Sequence, residues 1–127
     1  MIESSERNDG YKVEFTNGRY TAPGDMPVDK GGHGEGFRPH ELLEAALATC
    51  LTMTLRIAAE KFGYPLTRAG ARVEIDRSDP DAIVLRCALD LDGELDEEQR
   101  ARLLRAAENC PVGQTLAQLR GLRVSAA

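Results

Sequence analysis

The residues of this 127-residue chain with most chemistry to offer are its cysteines, Cys50, Cys87 and Cys110. A thiolate is a nucleophile, a metal ligand or half of a disulfide, and its surroundings decide which. The wide separation of the three excludes a C-x-x-C redox pair, and there are no two closely spaced pairs to hold structural zinc. His33 and His40 with a cysteine make only a weak metal set, so no metal and no bound cofactor are expected. Cys87 keeps register with Ile83, Leu85, Leu89 and Leu91, which predicts an inert thiol turned into the core. Cys110 precedes Pro111 and stands where a helix cap would. Unpaired N–H groups there favour a thiolate, and the rival reading is a small residue at a helix junction. Cys50, inside an apolar stretch, reads by itself as a core residue.

The element that carries Cys50 is a helix over Pro39 to Phe62. Proline suits its first position and Gly63 its end. Its apolar residues point in nearly every direction, so it must be covered all round. Thr49, Thr52, Thr54 and Arg56 interrupt the run short of the roughly 18 apolar residues of a membrane span, which predicts cover by protein.

Residues 1 to 10 are polar and expected to be flexible. Tyr11 to Phe15 alternates as a strand, Asn17-Gly18 suits a type I′ hairpin turn, and Arg19 to Thr21 is the expected return. Gly31 to Gly36 is a loop. Beyond the central helix, strands are predicted over Ala71 to Asp76 and Ile83 to Leu91, and a helix over Asp96 to Asn109 with Asp96 and Gln99 as a capping box. A third helix from Pro111 to about Arg120 and an edge strand at Leu122 to Val124 complete the expectation.

The length suits one domain over residues 1–127. Hydrophobic content of 42% with 29% charged residues is that of a chain that folds. A net charge of −5 with both signs interspersed leaves no basic face, so neither nucleic acid nor a membrane surface is an expected partner. The amino terminus lacks the basic and apolar regions of a secretory signal. This predicts a cytoplasmic protein whose thiols are kept reduced.

PHELLEAALATC, then TMTLR, then DLDGELDEEQRARLLRAAENCPVGQTL resembles the OsmC/Ohr family of osmotically inducible and organic hydroperoxide resistance proteins, from about Tyr11 to the C-terminus. The resemblance implies an α+β intertwined homodimer, with long central helices packed between sheets built from both chains. It also implies that Cys50 is the peroxidatic thiol and Cys110 the resolving one, in a peroxidase reducing small organic hydroperoxides, with a lipoamide-like external dithiol as reductant. A non-catalytic or redox-sensing dimeric stress protein is the alternative. The chain departs from the family at the pair that activates the thiol. His40 stands where other members place a glutamate, with Glu41 next, and Lys30 where one branch places an arginine. Arg38, Arg19 and Lys30 are candidates for the cation, Glu41 and His40 for its partner. On an ideal helix Glu41, about two and a half turns before Cys50, faces the opposite side. Glu44 is expected to be a local cap or an interface pair.

Overall fold

The computed structural model describes residues 1–126 and has the α+β character expected of the sequence. It divides into two compact units, Met1–Leu43 and the chain from Glu44 onward.

The first unit holds a three-stranded antiparallel sheet of β1 (Glu3–Glu6), β2 (Val13–Thr16) and β3 (Thr21–Gly24), in that order. β1 corrects the expectation of a flexible amino terminus. Its residues are all exposed, so no apolar alternation announces it, and pairing Glu3–Glu6 with Val13–Thr16 is what makes it a strand. The hairpin turn also differs from the expected type I′, which needs positive φ at both central residues. Gly18 has φ 90° and Asn17 does not share it, while Asn17 Oδ1 accepts from the N–H groups of Arg19 and Tyr20. The return strand accordingly starts at Thr21.

A 3-10 turn at Val28–Lys30 and a glycine-rich loop follow, organised by a buried carboxylate. Asp25 is 3% exposed and accepts from the N–H groups of Met26 at 2.8 Å, His33 at 3.2 Å and Glu35 at 3.2 Å. Burial alone raises its pKa, but these three donors outweigh it and hold the carboxyl below its ordinary value. The loop is tight enough that Gly32 and Gly36 are sterically required. A Cβ on Gly32 would lie 2.0 Å from the Met26 carbonyl oxygen, and one on Gly36 2.7 Å from that of Pro23.

α1 (Pro39–Phe62) starts on the expected proline, and the unit boundary falls in its first turns. It ends in a Schellman motif. Gly63 takes φ 68°, its N–H donates to the Glu60 carbonyl, and the Tyr64 N–H donates to that of Ala59.

In the second unit β4 (Leu66–Asp76) and β5 (Val84–Gly93) form an antiparallel ribbon. Its register sets Ala69 opposite Leu91, Ala71 opposite Leu89, Val73 opposite Cys87 and Ile75 opposite Leu85, an apolar face in cross-strand pairs. Ala69, Ala71, Val73, Leu85, Leu89 and Leu91 of that face pack against the core to which α1 gives Leu47, Leu51, Leu55, Ala58 and Ala59. α2 (Glu97–Ala107) carries both bonds of the capping box between Asp96 and Gln99 and adds Leu103 and Ala107 to the core. α3 (Pro111–Gln118) is shorter than expected, and residues 119–126 form no strand, although Leu122 and Val124 alternate. Glu44 reaches β4, where its Oε1 accepts from the Ile75 N–H at 2.9 Å. It is not a cap of its own helix.

Only one side of α1 is buried within the chain. Met53 and Ile57, 60% and 64% exposed, lie on the opposite side with Ala46 and the half-buried Cys50. By length and composition α1 also matches a membrane-crossing helix.

Candidate active site

The site is built on the start of α3. The first turn of a helix leaves N–H groups without intrahelical partners, and Pro111 at the first position removes one of them. The next two both point at sulfur. Val112 N–H donates to Cys50 Sγ at 3.5 Å, and Gly113 N–H donates to Cys110 Sγ at 3.3 Å. Cys110 is thus the N-cap of α3, in the place usually taken by serine or aspartate, and Cys50 reaches the same turn from the middle of α1. Helix-start donors favour negative charge, and both sulfurs accept from this one turn.

The two thiols differ in access. Cys110 is 1% exposed, whereas Cys50 is half-buried. Burial pushes the Cys110 thiol above its ordinary pKa, the Gly113 N–H opposes this, and the hydrogen bond and charge of Cys50 add to the rise. Gly113 is matched to the sulfur it serves. A Cβ there would lie 3.0 Å from Cys110 Sγ and 3.6 Å from Leu47 Cδ1.

An apolar groove of about 800 Å³ runs beside Cys110, walled by Leu51 of α1, Leu85 and Leu89 of β5, Leu104 of α2 and Leu116 of α3. Cys87 lines it too and is exposed, which corrects the expectation of a core thiol. The register with Leu85 and Leu89 holds, but the part of the face around Cys87 looks into the groove rather than onto packed side chains.

The charged candidates lie in the first unit, and two of them are joined. Arg38 Nε donates to Glu41 Oε1 at 2.9 Å and the Arg38 backbone N–H donates to Glu41 Oε2 at 2.9 Å. These two contacts, the backbone one first, draw the Glu41 carboxyl below its ordinary pKa. An arginine–glutamate pair therefore exists three residues apart at the start of α1, shifted from the positions the family uses. His40 is exposed beside it, Lys30 ends the 3-10 turn, and the Arg19 guanidinium lies 5.3 Å from the ring centre of Tyr20. Among the described residues no group of three or more histidine, cysteine, aspartate or glutamate side chains is placed to hold a metal ion. The helix-start donor expected at Cys110 is the Gly113 N–H, whereas Val112 N–H serving Cys50 is a contact that no local pattern in the sequence announces.

A family model described as OsmC-like protein matches residues 32–120, a span that includes both Cys50 and Cys110. No curated protein matches the chain. Among solved structures, an OsmC like protein from Mycoplasma pneumoniae is 18% identical with a TM-score of 0.78, over 94% of this chain and 87% of that one. A Psychrobacter arcticus protein, named for osmotic stress induction and detoxification response, is 24% identical with a TM-score of 0.73, over 90% and 85%. An organic hydroperoxide resistance protein OsmC from Legionella pneumophila is 23% identical with a TM-score of 0.66, over 93% and 88%. At these identities the structures speak for the fold. With the family model covering most of the chain, this protein belongs to the OsmC-like family.

Proposed function

We propose that this protein is a cytoplasmic, homodimeric thiol peroxidase that reduces organic hydroperoxides to alcohols. The observation that carries the reading is the pairing of a half-buried Cys50 with a fully buried Cys110 on adjacent donors of one helix start. Cys50 is the sulfur a peroxide can approach. Its thiolate attacks the terminal oxygen of ROOH, the O–O bond breaks, and the alkoxide takes a proton and leaves as alcohol. Val112 N–H steadies the thiolate before attack. The resulting sulfenic acid condenses with the Cys110 thiol, water leaves, and a disulfide joins the two. A lipoamide-like dithiol then reduces that disulfide by exchange. The reading is consistent with the Legionella pneumophila relative, which is named for organic hydroperoxide resistance.

A further assignment belongs to the same reading. The apolar side of α1 with Met53 and Ile57 is covered by a second copy of the chain rather than by lipid.

The test is a thiol count on reduced protein mixed with one equivalent of cumene hydroperoxide per chain. About two thiols per chain should disappear, Cys50→Ser should keep all of its own, and Cys110→Ser should trap a sulfenic acid on Cys50. Persistence of both Cys50 and Cys110 as thiols rules the reading out. Hydrogen peroxide should react more slowly than cumene hydroperoxide, because an apolar groove gains by taking up an organic tail.

A further inference from the structure

We infer that Cys87 is a third redox-active thiol of this protein, taking the disulfide over from Cys50 and carrying it to the surface of the groove. The inference rests on the peroxidase reading for the origin of the first disulfide. It stands on where the three sulfurs lie. Cys50 and Cys110 meet at the start of α3, and Cys110 and Cys87 line one apolar groove between α3 and β5. Their access is opposite. Cys110 is sealed in the core, and Cys87 is exposed on β5.

The step is a thiol–disulfide exchange. The Cys87 thiolate attacks the Cys110 sulfur of the Cys50–Cys110 bond, a Cys87–Cys110 bond forms, and Cys50 departs as thiolate with the electron pair of the broken bond. The proton lost from Cys87 is balanced by the one Cys50 takes up, so no oxidant or reductant is consumed. Attack at Cys110 rather than Cys50 follows from what must leave. Val112 N–H waits for charge on Cys50, while burial disfavours charge on Cys110. Partial burial also pushes the Cys87 thiol up, which makes the exchange slower than formation of the first bond. Two consequences follow. A bulky dithiol meets the oxidised pair at an exposed sulfur, and Cys50 is freed for a second peroxide before any reductant arrives.

Two measurements test this. In the first, Cys50→Ser protein is treated with diamide and its disulfides are mapped by mass spectrometry without reduction. A Cys87–Cys110 bond is expected there, and none in Cys50→Ser/Cys87→Ser. In the second, wild-type protein without reductant is given excess cumene hydroperoxide. It should consume about two equivalents per chain, the second leaving Cys50 as sulfenic acid, where Cys87→Ser consumes about one. If wild type stops at about one equivalent with Cys50 and Cys110 joined and Cys87 still open to alkylation, the relay is wrong and the peroxidase reading survives. An interchain Cys87–Cys87 crosslink in place of the Cys87–Cys110 bond also overturns it. Consumption of no peroxide at all sinks the peroxidase reading, and the diamide experiment then decides the Cys87–Cys110 pair alone.

Discussion

Asp25 and Cys110 are both buried, and both accept backbone N–H donors, yet their pKa values move in opposite directions. Burial pushes each of them up. At Asp25, three donors from Met26, His33 and Glu35 converge on two oxygens and reverse the shift, so a carboxylate stays charged at the centre of a loop. At Cys110, one donor from Gly113 meets a large, soft sulfur, and burial wins. Both are helix-cap or turn chemistry. The number of donors decides whether the side chain becomes a permanent anchor or a thiol that keeps its proton until a sulfenic acid appears beside it.

The anchor should be the more fragile of the two when its backbone is disturbed. Gly32→Ala sets a Cβ against the Met26 carbonyl, where no flexible side chain can give way, so the loop must open and release the His33 and Glu35 donors from Asp25. The loss of stability is expected at or beyond the upper end of ordinary overpacking, about 3 kcal/mol, read from urea unfolding. A neutral result would mean that Asp25 does not organise the loop.

Next in size is the charge itself. Because folding lowers the Asp25 pKa, its contribution is fully present above the unfolded value of about 3.9 and is lost as pH falls through the lower folded value. Asp25→Asn turns an amide N–H₂ toward at least one backbone donor. It should lower the unfolding temperature near neutral pH and flatten its decline in acid. A variant that keeps the wild-type acid limb assigns that limb to other carboxylates.

Cys110 predicts the mirror image, with a smaller amplitude. Its pKa is raised on folding, so the stabilisation is present below the unfolded thiol value of about 8.5 and disappears as pH rises through the higher folded value. Reduced wild-type protein should therefore lose stability in alkali more steeply than Cys110→Ala, as measured by thermal unfolding across that range. Equal slopes would place the alkaline titration elsewhere.

These two nodes also show what could be read from the sequence. α1, β5 and the cap of α2 are legible because their signals are local. Proline and glycine bracket α1, alternation marks β5, and Asp96 and Gln99 lie three residues apart. Cys110 as a helix cap is legible for the same reason, while its pairing with Cys50 across many residues came from family resemblance. Asp25 is not legible, since two of its donors are eight and ten residues away and nothing in the loop's composition points back to it. β1 shows the same limit, because a strand of exposed residues is defined only by its partner. Cys87 shows that alternation gives the face of a strand but not whether that face is filled along its whole length.

The smallest predicted effect on stability is the most informative about the thiol node. Gly113→Ala places a Cβ 3.0 Å from Cys110 Sγ, close enough that the sulfur must shift by a few tenths of an ångström. At this third position of α3, alanine also gains helix propensity over glycine, about 0.5–1 kcal/mol, which opposes the strain. The net change in stability should be close to zero. The sulfur, however, is displaced from the donor that holds it, so disulfide formation after peroxide should slow by about tenfold, equivalent to roughly 1.4 kcal/mol in the barrier. Stopped-flow thiol loss separates the two readouts. A variant that is unchanged in both would show that Gly113 is a bystander. A variant that loses stability while forming the disulfide at the wild-type rate would show that α3 yields and the sulfur does not.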